Sequence, residues 1–99
     1  MENNYKVTTG PTDTDRTIGE ARNAILDGLK ARRATNDWDN KFIYYVPQGN
    51  YKSVTDVAKN SFGEFTPYGE YIAMKLPDGR VIPWCPTQED ILKDDWIIF

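Results

Sequence analysis

Ile18, Ala21, Ile25 and Leu29 follow one another at intervals of three or four residues, which aligns them as one apolar stripe on an α-helix. Glu20, Arg22, Asn23, Asp27 and Lys30 fall on the opposite, water-facing side. Thr17-Ile18-Gly19-Glu20 supplies the start signal. In a capping box the Thr17 hydroxyl accepts from the backbone N–H of Glu20, and the Glu20 carboxylate reaches back to the backbone of Thr17. A helix of this kind needs a flat apolar partner, and the later sequence provides one. The segments Phe42 to Val46, Tyr71 to Leu76, Arg80 to Pro83 and Trp96 to Phe99 are rich in aromatic and β-branched residues and read as strands. Pro77-Asp78-Gly79 is a turn signal, so residues 71 to 83 are expected to form a hairpin. Alternation places Ile72, Met74 and Leu76 on one face and Tyr71, Ala73 and Lys75 on the other.

Thr87 caps a short helix with Asp90 at the box position and Ile91 and Leu92 as its apolar residues, after which the chain returns as a last strand. The order predicts an α+β domain: a small, mainly antiparallel sheet with one N-terminal amphipathic helix and a short helix before the last strand. Residues 1–16 are polar and carry a Gly10-Pro11 turn signal, so they are expected to form an arm with one short strand, Tyr5 to Thr8. Residues 17–99 then make a single domain.

Composition narrows the function more than the fold. The chain has 99 residues, 39% of them hydrophobic and 27% charged, which suits a soluble domain with one modest core. Twelve basic against fifteen acidic residues give a charge of −3, where a DNA or RNA binder would show a basic excess. No apolar run reaches the roughly 20 residues that span a bilayer, and the start MENNYKVTTG lacks a secretory pattern, so no membrane and a cytoplasmic location are expected. There is no histidine and a single cysteine, Cys85. This removes the Ser–His–Asp and Cys–His arrangements and the usual transition-metal sets, so no catalytic residue, no metal and no cofactor is expected.

Aromatic residues are the remaining chemical resource: three Trp, six Tyr and four Phe. Trp96 and Phe99, at the end of a strand, read as core. Trp84 lies between Pro83 and Pro86, which fix φ and remove two donors, so its segment is stiff and belongs at a strand end, where an indole can wall a pocket. Trp38, in the polar setting Asn36-Asp37-Trp38-Asp39-Asn40, can fold back on the domain, lodge against another subunit or stack on a ligand. Arg80 can grip phosphate through its planar fork or pair with Glu70 or Asp78; Arg32 and Arg33 have equivalent readings, with solvation ahead. Asp90 can cap its own helix or accept from a ribose hydroxyl. Cys85, with nothing to activate it, reads as an inert small hydrophobe.

The stretches "IGEARNAILDGLKARRATNDWDNKFIYYVP" and "YIAMKLPDGRVIPWCPTQEDILKDDW" resemble the second type of Thoeris anti-defence protein, a family of small phage-encoded sponges. The likeness runs from Ile18 to Phe99 and is most specific at Ile72, Asp78-Gly79, Pro83-Trp84, Gln88-Glu89-Asp90 and Asp95-Trp96. The chain departs from the family in the extra arm of residues 1–16 and in Asn36-Asp37 before Trp38, where a basic residue and a glycine are expected. The resemblance implies a homotetramer in the cytoplasm of an infected bacterium that sequesters cyclised ADP-ribose (glycocyclic ADP-ribose) signals without cleaving them, and in some relatives cyclic oligonucleotides. It favours Trp38, Arg80, Trp84 and Asp90 as ligand-binding residues. A homo-oligomer also agrees with the short chain and with aromatics such as Trp38 and Tyr51 that a like partner would shelter. Two alternatives remain: an inhibitor that binds a bacterial defence protein, and an enzyme degrading the signal through a divalent cation on Glu89, Asp90 and Asp94.

Overall fold

The computed structural model describes residues 13–99, and the strand expected at Tyr5 to Thr8 lies outside them. The element order is β1 (Asp13–Arg16), α1 (Ile18–Leu26), β2 (Ala31–Arg33), a 3-10 turn (Asn36–Trp38), β3 (Phe42–Val46), β4 (Gly49–Lys52), α2 (Asp56–Phe62), β5 (Phe65–Tyr68), β6 (Tyr71–Lys75), β7 (Val81–Pro83), α3 (Gln88–Leu92) and β8 (Trp96–Ile98). Six strands form an antiparallel sheet in the order β1-β8-β2-β3-β6-β7. The fold is therefore the expected α+β class.

Helix α1 begins where the capping box predicts. The Thr17 hydroxyl accepts from Glu20 N–H at 3.1 Å and the Thr17 N–H donates to the Glu20 carboxylate at 2.9 Å. The helix buries Ala21, Ala24 and Ile25, and its inner face joins Ala31, Ile43, Met74 and Trp96 of the sheet in one core. Each large apolar side chain buried there contributes about 1.5–3 kcal/mol. Leu29 lies beyond the helix, whose last turn closes with Gly28 at φ +94°.

Residues 13–16, read from sequence as part of a polar arm, form the edge strand β1. It pairs with β8 through Asp13↔Ile98 and Arg16↔Trp96, with a bulge between them. Arg16 bridges Asp13 at 3.3 Å and Glu20 at 2.9 Å, tying the strand to the first turn of α1.

The segment between β3 and β6 holds an element that the sequence patterning did not indicate. β4 and β5 extend the β3–β6 hairpin past residues 47–48 and 69–70, but pair only with each other. Helix α2, capped by Thr55 and ended at Gly63 with φ 82°, closes this ribbon. Its buried residues are polar: Ser53 and Thr66, whose hydroxyls share a hydrogen bond of 2.7 Å. Val54, Val57, Phe62, Phe65 and Tyr68 are exposed. An outrigger with a polar centre and an apolar exterior has the inverse of a domain's pattern.

Candidate functional site

The β6–β7 hairpin sets the position of Trp84. Gly79 takes φ +93°, a left-handed conformation that suits glycine, and the turn closes through Leu76 N–H to Arg80 O at 2.8 Å. The pairs Lys75↔Val81 and Ala73↔Pro83 carry the ladder along, and Trp84 N–H donates to Ile72 O at 2.9 Å as its last bond. Pro83 and Pro86 then take the chain off the sheet, so the indole is half-buried at the strand end.

The Trp84 ring packs against two further indoles. Its centroid lies 5.9 Å from Trp96 and 6.2 Å from Trp38, and Trp38 lies 5.3 Å from Trp96, all three pairs edge-to-face. Trp38 is 4% exposed. Of the three positions open to it, the indole takes the one folded back on its own domain, because the 3-10 turn reverses the chain beneath it. The free side of Trp84 borders a groove of about 400 Å³ against α1, walled by Ile18, Ile25, Ile72 and Pro86, with Arg22 as its charged residue. A shallower depression of about 280 Å³ shares Arg22, Ile25 and Ile72 and runs on to Tyr45, Glu70 and Tyr71.

Asp90 stands behind this wall. One carboxylate oxygen accepts from Thr87 N–H at 2.9 Å, completing a second capping box, and the other accepts from Arg33 at 3.2 Å. Both of the roles that the sequence left open need a free oxygen or a cap, and the cap is the one observed. Arg33, expected on a solvated surface, is 3% exposed and central. Its fork meets both Asp95 oxygens at 3.0 Å and also reaches Glu89 at 3.2 Å. Hydrogen bonding to Asp95 raises the Arg33 pKa further, and the same bonds hold the Asp95 carboxyl below its ordinary value. The Trp96 indole N–H donates to the Asp90 carbonyl at 3.0 Å, so the ion network and the tryptophan cluster brace each other.

Arg80 is placed apart. It sits in the hairpin turn, exposed, with Nε 2.8 Å from Asp78 and its backbone N–H on the same carboxylate. The three residues of β7 separate it from Trp84, four steps or roughly 13 Å at the usual rise. The structure thus brings Trp38, Trp84 and Asp90 into one neighbourhood and leaves Arg80 outside it. Sequence reasoning missed Arg22 as a groove residue, because its place on the water-facing side of the helix wheel gave no hint of a neighbouring wall. It also missed the burial of Arg33, for which the signal was available: the acid-rich run Glu89, Asp90, Asp94, Asp95 needs a buried cation if any of it turns inward. Cys85 is exposed, so it fills no core position. Among the described residues no group of three or more metal-ligating side chains gathers, and no helix is long and apolar enough to cross a membrane.

The chain is 27% identical over 88 residues to Thoeris anti-defense 2 of Bacillus phage SP01, a match covering 86% of this chain and 96% of that protein. The Thoeris anti-defense 2-like domain (Tad2-like) matches residues 16–99, from the end of β1 through the core sheet, the outrigger and the Trp84 segment to the last residue. With the whole described fold inside that match, save three residues of β1, the chain belongs to the Thoeris anti-defense 2-like family.

Proposed function

We propose that the protein is a phage anti-defence sponge that binds cyclised ADP-ribose signals of Thoeris immunity, glycocyclic ADP-ribose among them, and holds them without cleavage. The observation that carries this reading is the apolar groove with a braced indole as one wall. A purine stacked on an aromatic ring gains about 1–3 kcal/mol, and a volume near 400 Å³ lies in the range of small-molecule sites. Trp84 is the stacking surface; Trp38 and Asp90 act through it, one as its backing and the other by fixing α3. Family membership supports the anti-defence setting, and we place the protein in the cytoplasm of an infected host.

The side chains available favour sequestration over turnover. The sequence has no histidine, and two of the three carboxylates considered for a cation, Glu89 and Asp90, are both on Arg33. The groove is open on one side, so a single copy covers a dinucleotide-sized ligand incompletely; we assign the closing wall to a second copy within a homotetramer. Larger cyclic oligonucleotides have a different surface to engage. On the uncovered sheet face Lys30 Nζ lies 5.0 Å and 4.8 Å from the Phe42 and Phe99 rings, and Lys75 lies 5.6 Å from Phe42.

Isothermal titration with a cyclised ADP-ribose tests the reading: heat and a saturable stoichiometry are expected, and heating the complex should return the ligand intact. Absence of binding would favour an inhibitor of a defence protein; recovery of a cleaved product would favour an enzyme. A cyclic oligonucleotide held on the lysine face should bind without displacing the first ligand.

A further inference from the structure

We infer that Arg22 is the anion anchor of the Trp84 groove and takes the pyrophosphate of a ligand whose base lies on the indole. This rests on the groove being the ligand site. Arg22 is the charged side chain in an otherwise apolar lining, and it stands where the groove meets the shallower depression, so an anion bound there would sit at the groove mouth.

The pairing of the arginines is the second observation. Arg16, Arg32, Arg33 and Arg80 each lie within 4.0 Å of a carboxylate: Asp13 and Glu20 for the first, Asp39, then the acidic trio around Arg33, and Asp78 for the last. Among the described residues Arg22 has no such pair. Its hydrogen bond runs from Nη1 to the neutral Asn23 amide oxygen at 2.9 Å, which leaves the charge uncompensated and other donors of the fork unused. Glu70, the acid that borders the same depression, accepts from the Tyr45 hydroxyl. A guanidinium in this state, beside an apolar wall that lowers the local dielectric, matches a diphosphate in two ways: charge, and the bidentate spacing of its N–H groups.

The test compares Arg22→Ala, Arg22→Lys and Trp84→Ala with the parent by titration of a cyclised ADP-ribose at low and at physiological salt. The expected result is an affinity loss of about 10- to 100-fold for Arg22→Ala, partial recovery in Arg22→Lys, and a weaker salt dependence in the alanine variant. Its melting temperature should match the parent's, since the side chain is exposed. Adenosine, which has a base and no phosphate, should bind parent and Arg22→Ala equally. If Arg22→Ala keeps the parent's affinity and salt dependence while Trp84→Ala loses binding, the anchor is overturned and the groove stands. If Trp84→Ala also binds like the parent, the groove itself is misassigned and the anchor falls with it.

Discussion

The Trp84 indole packs against Trp38 and Trp96 and also lines the groove, so substitution there acts on folding and binding together. Trp84→Ala should weaken binding of a cyclised ADP-ribose by about 5- to 150-fold. It should also reduce stability, but by less than the roughly 3–5 kcal/mol expected for Trp38→Ala, because Trp38 is buried and Trp84 only half so. Urea unfolding of the two variants checks the order; equal losses would mean that Trp84 is simply core. The sequence placed Trp84 at a strand end, where the structure has it, since Pro83 and Pro86 act locally. It could not place Trp38, whose polar neighbours say nothing about where a 3-10 turn aims the ring.

Arg33 gives the fold's stability a pH signature. Asp95 is held below its ordinary pKa, first by hydrogen bonds from Arg33, and Glu20 is held low mainly by the Thr17 backbone N–H. A carboxyl depressed in the folded state contributes stability that is fully present above its unfolded pKa and is lost as pH falls through the folded value. Stability should therefore decline below about pH 4. Arg33→Met leaves Asp90 and Asp95 without their cation and should cost about 3–5 kcal/mol at neutral pH. Its acid-side slope should be flatter than the parent's, as Asp95 no longer has a low pKa to lose. Denaturant midpoints between about pH 2 and 7 measure both effects; an unchanged slope would place the acid sensitivity elsewhere.

At the scale of elements, what could be read from sequence had a local signature. The capping boxes at Thr17 and Thr87 and the Pro77-Asp78-Gly79 turn each satisfy backbone groups within four residues, so α1, α3 and the β6–β7 hairpin were legible. β1 was not, because a strand of Asp13-Thr14-Asp15-Arg16 has no apolar alternation and exists through its pairing with β8. The outrigger was hidden for the opposite reason: its apolar residues do not mark a buried face. Truncation separates these cases. Removing residues 1–16 should lower the melting temperature below that of a chain lacking only 1–12, by stripping the outer edge of β8 and the Arg16 bridge to Glu20. Equal melting of the two would show that β1 contributes nothing to the sheet.

For the whole molecule, the outrigger is the feature that a single copy leaves unexplained. Val54 and Val57 are 80% and 75% exposed, and Phe62, Phe65 and Tyr68 about half. An aromatic side chain presents about 150–250 Å² when free, so the three aromatics leave roughly 300 Å² and the valines add to it. That is a substantial part of the roughly 800 Å² each partner gives to a standard interface. Tyr51 and Tyr68 share one face of the ribbon, their rings 5.8 Å apart, while strand alternation turns Phe65 to the other face. Apolar groups on both faces suit an arm clasped between copies better than one lying on a flat surface. The protein should therefore sediment as a multiple of 11.4 kDa, a tetramer in our proposal. Val57→Asp with Phe62→Asp should shift it toward the single chain, while the far-UV spectrum stays that of the parent, because α2 buries none of its residues in the chain's own fold. Those dissociated copies should also bind a cyclised ADP-ribose more weakly, if a neighbouring copy closes the groove. A double variant that remains assembled would move the interface off the outrigger, and one that dissociates with full affinity would show that the Trp84 groove is complete in one chain.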